Sequence, residues 1–328
     1  MPILVTGGAG YIGSHMVLAL SDRDEKVVVI DNLSTGAHWV LPPNVVLRGG
    51  DMGDQAFVES VINEFGIDEI AHFAAKIVVP ESVAHPLMYY GNNTVRSRNL
   101  IESAIRCGVK RFIFSSTAAV YGDVSGDPVA ESAPLNPVSP YGRSKLMTEW
   151  MLEDAAKAHD FRYIALRYFN VAGADPLGRS GQSFPNATHL IKVAVQTALG
   201  QRPHMDIFGT DYPTRDGSCI RDYIHVTDLA TAHVDALGYL RRGGDSMVLN
   251  CGYGQGFSVL EVVDVVRKVT GVDFKANIGP RRAGDPATIV AKSDKIRQVL
   301  GWKPEHDDLE EIVAAAFTWE RKLKSRNA

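Results

Sequence analysis

The chain has 328 residues and a formal net charge of −4, with 45% hydrophobic and 22% charged residues. This is long enough to bury a large core divided into two lobes and ordinary for a globular protein, and the mildly acidic balance without a basic stripe argues against general nucleic-acid binding. Three widely spaced cysteines, Cys107, Cys219 and Cys251, no basic leader before the first apolar strand and no apolar run long enough for a bilayer together predict a cytoplasmic protein with no disulfide framework and no metal-ligand cluster.

In chain order, strand and helix patterns alternate through the first half. Ile3-Leu4-Val5 reads as a buried strand, followed by a helix from about Ile12 to Leu20. Further strands are expected at Val27–Ile30, Val45–Leu47, Glu69–Phe73, Arg111–Ser115 and Tyr163–Tyr168. Continuous apolar strands separated by amphipathic helices imply a parallel, doubly wound α/β sheet covered on both faces. The helices near Val95–Cys107 and Tyr141–Ala158 carry long apolar faces, which either pack on the sheet or contribute to a subunit interface. After about Asn170 the texture changes to shorter segments broken by Gly and Pro, predicting a smaller and more irregular second lobe.

Thr6-Gly7-Gly8-Ala9-Gly10-Tyr11-Ile12-Gly13 follows the first strand and opens the first helix. Glycines at 7, 10 and 13 allow a tight turn and close approach to a pyrophosphate, whose charge rests on the helix N-terminus. The strand before and the helix after supply the context such a motif requires. Asp31 ends the second strand, about twenty residues on, where a carboxylate bonds ribose hydroxyls and repels a 2′-phosphate, favouring NAD over NADP. Asp51, after the third strand, can accept from an adenine amino group or can cap its own loop.

Tyr141 and Lys145, in the run Ser139-Pro140-Tyr141-Gly142-Arg143-Ser144-Lys145, lie one helical turn apart on one face. A phenol has a pKa of about 10, and a nearby ammonium favours the phenolate. Bringing that pKa close to 7 takes roughly 4 kcal/mol of differential stabilisation. The lysine and an oxidised nicotinamide would supply two positive charges for it. Thr117 adds a hydroxyl at a strand end, where the alternative is a local backbone bond.

Together these stretches resemble the extended short-chain dehydrogenase/reductase family, over almost the whole chain. The matching runs include TGGAGYIGSH from Thr6, DNLS from Asp31, HFAA from His72, FSSTAAVYG from Phe114, SPYGRSK from Ser139 and RYFNVAGA from Arg167. FGTDYPTRDG from Phe208, CIRDYIHVTDLA from Cys219 and PRRAGDPA from Pro280 are more specific to the family's nucleotide-sugar 4-epimerases. The resemblance implies a Rossmann-like NAD-binding domain at 1–172. Residues 173–328 would form mainly a smaller α/β UDP-sugar-binding domain, with some segments returning to the first.

It also implies an isomerase that interconverts UDP-glucose and UDP-galactose through a 4-keto intermediate. Tyr141 would be the base, Lys145 would depress its pKa and bind the nicotinamide ribose, and Thr117 would bridge Tyr141 and the sugar 4-hydroxyl. NAD contacts are implied at Gly7, Gly10, Tyr11, Ile12, Gly13, Asp31, Asn32, Asp51, Met52, Phe73, Ala74, Lys76, Asn92, Tyr141, Lys145 and Tyr168. His72 reads as a structural strand residue. Arg221 and Arg282 match a diphosphate clamp, suited by the guanidinium fork. Asp285 would bind the uridine ribose, Asn170 the diphosphate, and Leu190 and Phe208 the uracil, although the last two also suit core packing. The expected assembly is a homodimer through a helix pair, with no metal.

Two positions depart from the family pattern. Ile77 stands where many members have a lysine, which bears on how tightly NAD is held, and Ile289 stands where residue size gates bulky N-acetylated sugars. Ala118-Ala119 replace the Asp-Glu pair that a 4,6-dehydratase needs. An epimerase for UDP-glucuronate, a UDP-pentose or a UDP-N-acetylhexosamine remains an alternative reading. So does a non-catalytic NAD sensor on the same fold, which would have no need of Thr117, Tyr141 and Lys145 together.

Overall fold

The computed structural model describes residues 2–124, 128–282 and 285–327. Ala283 and Gly284 of the PRRAGDPA run therefore lie outside the described residues. The helices are α1 (Tyr11–Ser21), α2 (Gln55–Phe65), α3 (Val79–Ala84), α4 (Pro86–Tyr89), α5 (Arg96–Arg106), α6 (Pro140–Ala158), α7 (Leu190–Ala198), α8 (Val226–Arg241), α9 (Val259–Thr270), α10 (Asp294–Leu300) and α11 (Leu309–Asn327). A π-helical turn, Tyr90–Val95, joins α4 to α5.

Strands β1 (Ile3–Thr6), β2 (Val27–Asp31), β3 (Val46–Gly49), β4 (Glu69–His72), β5 (Arg111–Ser115) and β6 (Arg162–Tyr168) fall within a residue or two of their expected positions. With β10 (Met247–Cys251) they form a seven-stranded sheet in the order β10-β6-β5-β4-β1-β2-β3, every neighbour parallel. Alternation along β1 shows why its run is wholly apolar. Ile3 and Val5 enter the core beneath α1 and α8, while Leu4 enters the opposite core with Ile62, Leu100 and Phe112. Fully burying such a side chain contributes about 1.5–3 kcal/mol, so both faces need cover. The chain leaves β1 toward β2 on one side and reaches β4 on the other, which places the topological switch point, and hence a crevice, at the carboxyl end of β1.

The remaining strands are β7 (Asn170–Ala172), β8 (Met205–Phe208), β9 (Ile220–His225), β11 (Gly256–Ser258), β12 (Ala276–Gly279) and β13 (Thr288–Ile289). β9 sits between β11 and β13 and also pairs β7, and β8 pairs β12. Their core, with Ile191, Val195, Ile207, Tyr223, Val262, Val266 and Ile312, is covered by α7, α9 and α11.

The expectation of short, irregular elements after Asn170 is corrected here. α8 has 16 residues and α11 has 19. α8 packs on α1 and buries Leu229, Ala232, Ala236, Leu237 and Leu240 in the first core. Its small alanines, mixed with Thr, Asp and His, blur the periodic apolar stripe that normally betrays such a helix.

Candidate active site

The loop after β1 is shaped by contacts that exclude side chains. Gly7 has φ +72, and a Cβ there would sit 2.6 Å from the Ala74 nitrogen. A Cβ on Gly13 would sit 2.1 Å from the Gly7 carbonyl oxygen, so the first turn of α1 rests directly on the loop. The bare backbone at the helix N-terminus leaves room for a pyrophosphate and aligned N–H groups to receive it, so these residues fit a dinucleotide. Asp31, 8% exposed, accepts from Ala9 N at 3.0 Å and Leu33 N at 2.8 Å. Burial raises its carboxyl pKa, and these two bonds oppose the rise.

Other residues expected around the cofactor are spread along the same edge. Asn32 Oδ1 accepts from Ser34 N, closing a local turn. Asp51 accepts from Gly53 N at 2.9 Å and pairs with Arg96 at 3.0 Å, which is the loop-capping geometry. Arg96 also donates to Asn92 Oδ1, so the Asn92 amide is turned toward the α5 start. Met52 is buried in the core under α2 and α5, and Ile12 lies against the opposite core. Phe73 stacks obliquely on His233 with centroids 4.8 Å apart. Tyr11 donates its hydroxyl to Gly173 O at 2.8 Å, tying α1 to the segment after β7.

Thr117, Tyr141 and Lys145 come together at the carboxyl end of β5, at 7%, 6% and 3% exposure. The local sequence explains the meeting. Ser139 caps α6 by accepting from Gly142 N at 3.1 Å, and Pro140 occupies the first turn, where its missing N–H costs nothing. A Cβ on Gly142 would lie 2.5 Å from Ala119 O. Glycine there lets the start of α6 settle onto the Thr117 loop, beside Tyr141. Thr117 Oγ1 also accepts from Ala119 N at 3.1 Å, so the local backbone bond is present as well.

Burial, with a smaller push from Tyr168, drives the Tyr141 phenol well above its ordinary pKa, and a hydrogen bond with Thr117 opposes this. Lys145 lies one helical turn away on the same helix. Its Nζ donates to Ser115 O at 2.8 Å and lies over the Phe114 ring at 4.8 Å. Burial in turn pushes Lys145 down to about 7. Positive charge added beside Lys145, such as an oxidised nicotinamide would bring, would favour the Tyr141 phenolate further. Tyr168 accepts from Ser115 Oγ at 2.9 Å and is raised by burial to about 12. His72 is bonded on both sides, to Thr6 Oγ1 at 2.7 Å and Ser97 Oγ at 2.9 Å, and burial lowers it to about 3, which makes it a neutral structural residue.

The expected nucleotide residues form two contacts in the second lobe. Arg221 Nη2 donates to Asp285 Oδ1 at 2.6 Å. The Arg282 guanidinium stacks on the Phe208 ring at 3.8 Å, a flat cationic shelf. Asn170 and Leu190 line one open cleft with Tyr11, His189 and Tyr223, and Tyr141 is not on its wall. Ile289 pairs in register with Arg221 and is buried with Ala118, Tyr121 and Phe169.

Residues 3–252 match the NAD dependent epimerase/dehydratase family. The chain belongs to that family. Within it, a UDP-glucose 4-epimerase of Azospirillum brasilense is 55% identical over 322 residues, spanning 98% of this chain and 92% of the relative. Among solved structures, UDP-glucose-4-epimerase from Stenotrophomonas maltophila, with bound NAD and formylated UDP-arabinopyranose, superposes with a TM-score of 0.95 at 39% identity, each chain covered to 100%. UDP-glucose 4-epimerase from Bifidobacterium longum in complex with NAD+ and UDP gives 0.92 at 36% identity, with 98% of both chains covered.

For a member of this epimerase/dehydratase family, the sequence reading passed over one site residue. Asn93, 2% exposed, accepts from Lys76 N at 2.9 Å, donates to Lys76 O at 2.9 Å and reaches Ser144 Oγ at 3.1 Å. It pins the backbone after β4 to the helix bearing Tyr141 and Lys145. A single Asn in a polar Gly-Asn-Asn-Thr run carries no periodic signal that would single it out.

Proposed function

We propose that this chain interconverts UDP-glucose and UDP-galactose by NAD-dependent 4-epimerisation through a 4-keto sugar. The reading is carried by the convergence of Thr117, Tyr141 and Lys145 at the switch-point edge of a dinucleotide-type sheet, and it is supported by 55% identity to a UDP-glucose 4-epimerase. Residues 1–172 are read as the main part of the NAD-binding unit and residues 173–328 as mainly the UDP-sugar unit.

The glycine loop would hold NAD by its pyrophosphate, and the Asp31 carboxylate would accept from its adenosine ribose. Bound NAD supplies a reversible hydride acceptor at sugar C4. Tyr141 takes the proton of the 4-hydroxyl and later returns it, and Thr117 holds the hydroxyl and phenol in line. The raised phenol pKa means that Tyr141 works as a base only when cationic charge gathers around it, which couples proton removal to a loaded, oxidised site. Arg221 and Arg282 grip the diphosphate, and Asp285 the uridine ribose. These remote contacts keep the nucleotide anchored while the keto sugar presents its other face.

A homodimer is part of the proposal. Val83, Leu87, Val95 and Trp150, 62%, 82%, 54% and 53% exposed, lie along α3, α4, the π-helical turn and α6, which pack on one another. Such a face is unusual on a monomer. Cytoplasmic residence is proposed from the three free cysteines. A wider sugar range is the second reading, favoured by the formylated UDP-arabinopyranose held by the Stenotrophomonas neighbour.

The test is to incubate purified protein with UDP-galactose, without added NAD, and follow UDP-glucose by proton NMR. Conversion to a fixed ratio supports the reaction and a retained cofactor. A requirement for added NAD supports the reaction and points to Ile77 as weakening retention. No product even with NAD overturns the glucose/galactose assignment and moves UDP-glucuronate and UDP-pentoses forward.

A further inference from the structure

Beneath the catalytic residues lies a buried ion pair that the reaction, as described, does not use. Glu149 follows Lys145 by one turn of α6, as Lys145 follows Tyr141, so the three side chains share one helix face. Glu149 is 3% exposed. Its carboxylate accepts from Ser116 Oγ, from Arg167 Nε at 3.0 and 3.2 Å, and from Arg167 Nη2 at 2.6 Å. Arg167 is held from behind by Tyr121, whose hydroxyl accepts from Nη1 at 3.0 Å and donates to Asn250 Oδ1 at 2.6 Å. Ser116 stands between Ser115, whose carbonyl receives the Lys145 ammonium, and Thr117.

A buried pair of this kind adds little net stability over apolar residues of the same volume, because desolvation offsets the attraction. Its placement suggests what it does instead. The groups around Lys145 are Tyr141 and Glu149 on α6, the Phe114 ring and Ser115 carbonyl on β5, neutral His72 on β4, and Tyr168 on β6, with Arg167 behind Glu149. Glu149 is the one anion among these described residues.

We propose that Glu149 is a positioning residue that keeps Lys145 charged and fixed beneath Tyr141, through its charge one turn away and through its bond to Ser116. The inference rests on the proposed function, in which Tyr141 acts as a base when cationic charge, including that of Lys145, gathers beside it. Burial pulls the Lys145 pKa down and Glu149 pulls it back up, consistent with this geometry. Without the carboxylate, Lys145 would lose its proton at a lower pH.

The experiment follows the isotope-labelled lysine Cε resonances of the full-length protein through a pH titration, with the Lys145 signal assigned by Lys145→Arg. In Glu149→Gln the midpoint is expected to fall by about one pH unit. The alkaline limb of turnover falls with it, kcat at neutral pH drops about tenfold, and KM for UDP-galactose stays near the native value. Because Glu149→Gln strands the Arg167 charge and can unfold the chain, Glu149→Gln/Arg167→Gln, which removes both charges together, is measured beside it. In the double variant the fall is expected to be smaller, because Arg167 lies behind Glu149 and its lost charge offsets part of the effect, and an unchanged Lys145 midpoint in either folded variant overturns the proposal. A double variant that does not fold also overturns it, making the pair structural. The titration reads Lys145 whether or not the protein epimerises UDP-galactose, so failure of this inference and failure of the assigned reaction are distinguishable.

Discussion

Arg221 on β9 and Asp285, 64 residues later, meet at 2.6 Å, the guanidinium nearly buried and the carboxylate one-third exposed. The carboxylate fixes the guanidinium without covering it, and Arg221 also donates to Ile220 O, which leaves part of its fork for a phosphate. Arg221→Met should weaken UDP binding about 100-fold, because it removes a charge-assisted bidentate donor and leaves Asp285 facing the diphosphate unneutralised. Asp285→Asn should weaken it about tenfold, since the guanidinium loses its brace but keeps its charge. Calorimetric titration with UDP reads both. Native affinity in Arg221→Met would remove this pair from the nucleotide site.

Tyr141→Phe deletes the phenol and keeps the ring. Turnover should fall by about three orders of magnitude, the middle of the range for losing a general base, while UDP affinity stays unchanged. Thr117→Ala should cost less, about 100-fold, because it removes alignment and leaves the base. Steady-state rates with UDP-galactose and UDP binding on the same preparations decide this. A Tyr141→Phe enzyme that keeps a tenth of its activity would exclude Tyr141 as the base.

The parts legible in the sequence are those written in short-range pattern. The glycine loop could be read because β1 and α1 flank it and its contacts, Gly13 on Gly7 above all, are local. Tyr141 and Lys145 could be read because helical spacing alone puts them on one face. The Arg221–Asp285 contact was not visible, since each residue was recognised by its own motif and their meeting depends on β13 aligning with β9. α8 hid because alanines carry its buried face. Burial of the Tyr141 phenol, a property of the whole fold that raises its pKa, could not be read from helical spacing, which says only that a lysine is near.

Lys145 is held at a cost. Its amine titrates at about 7 in the fold and near 10.4 in the unfolded chain, so between those values the unfolded state binds more protons and stability rises with pH. The penalty is full below pH 7 and gone above about 10.4. Lys145→Met should therefore abolish turnover while stabilising the protein at neutral pH by about 1–2 kcal/mol, less than the full charge penalty because Ser115 O loses its donor. Urea unfolding at several pH values tests this. The gap between variant and native protein should narrow as pH rises, and a gap that is constant or widening would mean that Lys145 is not desolvated in this way.

Acid should unfold the protein at a higher pH than carboxylates alone would dictate. His15, His72, His225 and His233 are all at most 3% exposed, and burial lowers them to about 4, 3, 3 and 4. In the unfolded chain each takes a proton near pH 6.5. From 6.5 down to about 3 the unfolded state binds the additional protons, so stability is lost as pH falls through that window. At pH 5 each histidine costs about 2 kcal/mol, and four together rival the 5–15 kcal/mol of a typical domain. The acid midpoint is expected near pH 5. His233 isolates one contribution. Its Nδ1 bonds Leu229 O, its Nε2 is buried without a partner, and its ring rests on Phe73. His233→Leu keeps the apolar contact and removes the titration, so its acid midpoint should move to lower pH while its stability at pH 7 holds. Circular dichroism across an acid titration reads the shift, and a midpoint identical to the native one would remove His233 from the sources of acid lability.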